Sequence, residues 1–277
     1  MDLLYNNKKL LMFHIASGFS IIASAFVILF AYFFPDSYSV YNKYLLSQAK
    51  GQDIVTLFLV LPPMIFVLVK SLNKSVAASL FLAGCLGYMF YTYVTFSYLT
   101  YARLSLIYIA IYSISLFGLI DFFININYSR VAVYLSKASI NRFTSYYNIT
   151  IGLLIALLWL KNLSVSLITG VIPKEILLNN GSSVVYANDL GFFLPAIVLS
   201  GILLLKKMTF GFILTAVVLV KEVMMGAAIL GMIYVMYLDK QPVDLGMAVV
   251  FAVITILSLA ATILFYSQMF GKKQSNR

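Results

Sequence analysis

The sequence predicts an all-α protein, a polytopic transmembrane helical bundle of about eight spans. Three observations predict it. The chain of 277 residues is 62% hydrophobic and 10% charged, with a mean hydropathy of +0.99, whereas soluble domains average about 25% charged residues. Its apolar residues gather into eight runs, at about 10–34, 54–70, 75–98, 104–126, 149–171, 189–205, 208–237 and 244–267. Each comes close to the roughly 20 residues needed to cross a hydrocarbon core about 30 Å thick. Finally, Lys and Arg fall in ones and twos between the runs and are biased to one side.

Span 1 is too long for a signal-peptide core and no small-x-small cleavage site follows it, so it reads as a retained span. It carries His14, the only histidine. Span 2 is led by Asp53, contains Pro62 and Pro63, and closes on Lys70. The prolines predict a bent, cavity-lining helix, because a missing N–H and a ring clash free carbonyls that a neighbour or cavity must satisfy. In span 3, Tyr88, Tyr91, Thr95 and Tyr98 share one helical face; in span 4, Tyr108, Tyr112 and Ser115 do so. Hydroxyls in lipid need partners, so both stripes are expected to point into the bundle. They read either as packing or as an aromatic wall for an amphipathic or cationic small molecule.

Residues 127–148, with Val133, Tyr134, Lys137 and Arg142, read as a basic connector whose amphipathic helix lies on inner headgroups. Span 5 carries Lys161. Span 6, "ANDLGFFLPAIVLSGILLLK" at 187–206, is led by Asp189 and contains Pro195. Span 7 is interrupted by Lys221 and Glu222. Span 8 carries no charge after Asp244 at its start.

Placing the N-terminus inside puts twelve Lys and Arg on the inner side (Lys8, Lys9, Lys70, Lys74, Arg130, Lys137, Arg142, Lys206, Lys207, Lys272, Lys273, Arg277). Five fall outside (Lys43, Lys50, Arg103, Lys174, Lys240). This positive-inside bias gives a cell-membrane protein with both termini cytoplasmic. The net charge of +10 then serves topology and anionic headgroups rather than nucleic acid. One histidine excludes bis-histidine haem and two-histidine zinc sites. No phosphate cradle, HExxH or GxSxG pattern occurs, and neither metal nor cofactor is expected. Cys85 is alone, so no intrachain disulfide forms.

Spans 2 and 6 share a Leu-Pro step, an aspartate at the outer boundary and a lysine seventeen residues later (Asp53 to Lys70, Asp189 to Lys206). A duplication follows, with four-helix repeats at 1–127 and 149–277 in parallel orientation. In the register that superimposes the aspartates, offset by 136 residues, Lys221 falls on Cys85, Glu222 on Leu86, Lys161 on Ala25 and Asp121 on Leu257. The intramembrane charges then belong to one copy only.

The aspartate-led span 2, "GYMFYTYVTFSYLTY" (87–101), and "YANDLGFFLPAIVLSGILLL" leading into "LVKEVMMGAAILGM" resemble a family of uncharacterised bacterial multispanning membrane proteins, from Gly51 to Met232. The resemblance implies a bacterial inner-membrane protein and a lysine in the seventh span. It supplies no activity.

An ionisable group at mid-bilayer costs on the order of 3 kcal/mol and is a functional candidate by default. Four qualify: Asp121, Lys161, Lys221 and Glu222. Lys161 and Lys221 lie about 20 Å along their spans, and Glu222 is expected to pair across the bundle with Lys161. Lys221 then snorkels or faces a wet cavity, and Asp121 couples to His14. Two functions are compatible with this. One is a small permease or small-molecule-binding membrane protein, with a central site lined by Lys161, Lys221, Glu222, Asp121 and the tyrosines. The other is a membrane-embedded enzyme or accessory subunit acting on a lipid-borne substrate, with Asp53 and Asp189 at the outer mouth as acid and base.

Overall fold

A computed structural model describes residues 10–133 and 138–270. No strand occurs among them, and eight helices are long and apolar enough to cross a membrane. They are α1 (Leu11–Phe33), α2 (Lys43–Leu72), α3 (Val76–Leu99), α4 (Ser105–Asn125), α5 (Ala138–Thr169), α6 (Val184–Leu205), α7 (Thr209–Leu238) and α8 (Leu245–Phe270). Outward faces are frankly apolar, as at Ile22, Phe58 and Leu167, the last 87% exposed. The chain is a multi-pass integral membrane protein.

Two helices begin well before the apolar runs that announce them. α2 starts at Lys43, where Asn42 caps it by accepting the Leu45 N–H at 2.9 Å; its polar first turns face neighbouring loops and the bundle interior. α5 starts at Ala138, so residues 138–148 extend the span rather than forming a separate surface helix. Asn141, Thr144, Ser145 and Asn148 are buried, and Asn148 donates to Ser200 of α6 at 2.8 Å. Arg142 is exposed. Tyr134 and Lys137 of the expected connector lie outside the described residues, as do Lys8, Lys9, Lys272, Lys273 and Arg277.

The prolines of α2 and α6 do not break their helices. Each is preceded by one π-turn, Thr56–Val60 and Asp189–Phe193. There the Leu61 and Leu194 N–H groups reach back to the Thr56 and Asp189 carbonyls. The wider turn absorbs the proline ring and keeps the ladder satisfied.

These π-turns stand in a register other than the 136 residues that the two aspartates suggest. Thr56 and Asp189, Leu61 and Leu194, the helix ends Leu72 and Leu205, the left-handed turn residues Lys74 (φ 67°) and Lys207 (φ 57°), and the starts Val76 and Thr209 are all 133 residues apart. In that register Asp189 matches Thr56 rather than Asp53, Lys221 matches Tyr88, and Glu222 matches Met89. Three residues separate the two alignments because backbone geometry follows the Leu-Pro step, not the aspartate.

Helix contacts follow one pattern in both halves. α1 packs on α2 and α4, and α3 on α2 and α4; likewise α5 packs on α6 and α8, and α7 on α6 and α8. α3 and α7, the two most buried helices, cross at the centre. The difference lies in the outer pair. α1 and α4 are closely packed, with Ala16 against Gly118, while the α5–α8 contact is the thinnest of the eight.

Asp121 finds a structural partner at the end of the bundle that holds the start of α1. Its Oδ2 accepts the Phe13 N–H at 3.0 Å and its Oδ1 accepts from Asn125 at 2.8 Å. Phe13 lies in the first turn of α1, where N–H groups have no intrahelical acceptor and a carboxylate is favoured. Asp121 is also in electrostatic reach of His14, as expected, while the His14 ring makes its hydrogen bond to Ser71 at 2.9 Å, and Ser71 continues to Ser79 at 2.8 Å. Asp121→Ala is therefore expected to cost about 1 kcal/mol, the usual loss of a cap, and Asp121→Asn less. Thermal unfolding in detergent checks the order.

Candidate functional site

The thin α5–α8 contact leaves a cavity of about 510 Å³. Its walls come from α2, α3, α5, α6, α7 and α8, with the loops before α6 and α8 at its mouth. Glu175 and Asp244 stand at that mouth. The floor is formed by Lys221, Glu222, Asp189, Tyr91, Phe193 and Ser258.

α7 carries the floor charges because its Lys221 and Glu222 lie mid-helix, where insertion is tolerated only toward protein or water. The Lys221 side chain is almost fully buried. Its Nζ sits over two rings, 3.5 Å from the Phe193 centroid and 4.1 Å from that of Tyr91. Those rings meet edge to face at 4.6 Å, so both offer electron-rich surfaces to the ammonium. Asp189 and Glu222 are its anionic neighbours. Asp189 is held at both oxygens: Tyr91 donates to Oδ1 at 2.7 Å and Trp159 Nε1 to Oδ2 at 2.8 Å.

Glu222 is less well served. Its Oε2 accepts from Ser258 at 3.5 Å, and its buried Oε1 has no hydrogen-bond partner. Ser258 is in turn bonded to Tyr147 at 2.5 Å, which ties α5 to α8 just beneath the floor.

The expected Lys161–Glu222 pair does not form. Lys161 is exposed on the outer side of α5, because the helix turns its polar face, with Trp159 and Asn162, toward α6. Equal depth brought the two residues level without bringing them onto facing surfaces. Asp121 lies at the far end of the bundle and does not line the cavity.

The two aspartates expected at the outer mouth are also separated. Asp189 lies on the cavity floor. Asp53 lies within α2, away from the cavity, and accepts the Tyr38 hydroxyl at 2.5 Å. Burial first, and then the Asp53 carboxylate, push the Tyr38 hydroxyl well above its ordinary range, so it remains a donor.

The tyrosine stripes divide. Tyr91 and Thr95 line the cavity. Tyr88 turns to Thr56 at 2.7 Å, and Tyr108 packs with Tyr93 and Phe96. Tyr98 and Tyr112 face one another, ring centroids 6.2 Å apart, with Tyr98 exposed. Trp159, Phe193, Tyr147 and Ser258 were not among the sequence candidates. Trp159 is the only tryptophan, but nothing in its spacing marks Asp189 as its acceptor.

No family model, no curated protein and no solved structure matches this chain.

Proposed function

We propose that this protein is a small permease whose substrate site is the cavity between α5 and α8. One observation carries the reading: a cavity of about 510 Å³, large enough for a small organic molecule, with Lys221, Glu222 and Asp189 on its floor among membrane-crossing helices. Charges buried there are costly, and a binding site is the function that keeps them.

The scaffold is a duplicated four-helix unit, residues 1–127 and 149–277, with one half altered to make the site. The shared helix pairing and the 133-residue correspondence support this. So does the central crossing: Gly84 lies against Val217, its own counterpart, and against Val220, while Gly87, the counterpart of Val220, lies against Val217. A two-fold relating the halves produces such reciprocal contacts. The membrane is the bacterial cell membrane with both termini cytoplasmic, for which the asymmetry of Lys and Arg is the support.

An enzyme using Asp53 and Asp189 as acid and base gains nothing from their positions, since they do not face one site. A thermal-shift screen of amphipathic small molecules on purified protein identifies a ligand, whose uptake is then followed in vesicles. Glu222→Gln and Lys221→Met are expected to abolish uptake, the latter by leaving Asp189 uncompensated, while Asp53→Asn is mild. The reverse order supports the enzyme and removes the permease reading.

A further inference from the structure

From the charge balance of the cavity we infer that its ligand is an amphipathic organic cation, whose positive group is balanced by Glu222. The inference rests on the reading of the cavity as a ligand site and specifies the chemistry of its occupant.

The chain carries a net charge of +10, yet the cavity wall holds four carboxylates, Glu175, Asp189, Glu222 and Asp244, against one ammonium, Lys221. Acidity alone decides little; commitment decides more. Asp189 is satisfied by two donors and faces Lys221. Lys221 is occupied by two ring faces. Lys221 is the shared electrostatic neighbour of Asp189 and Glu222, so the floor keeps one negative charge in excess. Asp244 caps α8 by accepting the Met247 N–H at 3.0 Å and is exposed, as is Glu175.

Glu222 is left over. One of its oxygens is buried without a hydrogen-bond partner, the other has a single long bond, and among the described residues no second ammonium lines the cavity. Its one countercharge, Lys221, is shared with Asp189, so the pair of carboxylates is under-compensated, and a cation entering the cavity supplies the missing charge. The walls suit the rest of such a molecule, since Trp159, Tyr186, Phe96 and Phe251 present aromatic surface above the floor. The floor already shows how a cation sits there, because Lys221 is held by ring faces. An anion, by contrast, approaches an ammonium covered by two rings and flanked by two carboxylates.

The test is equilibrium binding of three probes of similar shape to the purified full-length protein in zwitterionic nanodiscs. They are tetraphenylphosphonium (cationic), tetraphenylborate (anionic) and triphenylphosphine oxide (neutral). Tetraphenylphosphonium is expected to saturate at one per chain and to bind about tenfold tighter than either comparator. Glu222→Gln is expected to weaken it by at least about tenfold, and Glu222→Asp, which keeps the charge, much less. Equal or tighter binding of the borate or the neutral probe overturns the cation inference and leaves the ligand site standing. Unchanged phosphonium binding by Glu222→Gln also overturns it. Saturable binding of none of the three overturns both readings. The ranking of probes on the unmodified protein holds whether or not a variant folds.

Discussion

Lys221→Tyr and Asp189→Thr each destabilise the protein by about 3 kcal/mol, the usual effect of stripping a buried charge of its partner, and the double variant loses less than their sum by about 1.5 kcal/mol or more. The expectation comes from the first half of the molecule. In the duplication proposed above, Tyr88 and Thr56 answer to Lys221 and Asp189, and the tyrosine hydroxyl meets the threonine at 2.7 Å. On that proposal, equivalent helix crossings accommodate either a neutral hydrogen bond or opposite charges in electrostatic reach of one another. Removing either charge unbalances the cluster of Lys221, Asp189 and Glu222; removing both substitutes the neutral combination that the proposed repeat holds in its first copy. Thermal unfolding of the four proteins in one detergent gives the coupling. Strictly additive losses would remove the equivalence of the two pairs, and with it the 133-residue register.

Gly51→Leu is expected to prevent stable folding, with even Gly51→Ala costing about 3 kcal/mol, at the upper end for overpacking. α2 crosses α7 here with backbone against backbone. A Cβ on Gly51 meets the Gly231 carbonyl oxygen and the Met232 Cα, each at 2.5 Å, and neither can rotate away. Small residues allow such approaches between helices in lipid, where packing replaces the hydrophobic drive. Gly18 of α1 is the control. Nothing lies within 4 Å of a Cβ there, so Gly18→Ala is expected to stabilise by about 0.5–1 kcal/mol through helix propensity alone. Yield after purification and the unfolding midpoint read both. A well-folded Gly51→Leu variant would mean that the α2–α7 crossing is looser than the structure has it.

Much of the architecture was legible from the residues alone. Apolar runs with charges between them located all eight helices, since the length of such a run is set by the bilayer. The Leu-Pro steps marked where α2 and α6 depart from a regular α-helix, but they predict a broken or bent helix and the structure has a continuous π-turn. Lys221, Glu222, Asp189 and Tyr91 stand out in the sequence, because charges and hydroxyls in lipid require an explanation wherever they point, and all four line the cavity. Residue spacing was less informative about partners. It set Lys161 level with Glu222, but depth along a helix says nothing of its rotation, and α5 turns Lys161 outward.

What the sequence by itself determined is thus the number of crossings and the identity of the groups that lipid cannot tolerate exposed. Which of those groups meet was decided by tertiary structure. Asp121 is spent on the first turn of α1, Asp53 on Tyr38, and Asp189 on Trp159 and Tyr91, while Glu222 is left with an unsatisfied oxygen beside an open space. The physical reason is that hydropathy is a property of each residue, whereas pairing depends on the rotation and crossing of helices. Those are set by close contacts, such as Gly51 with Gly231 and Gly84 with Val217, between residues far apart in the chain.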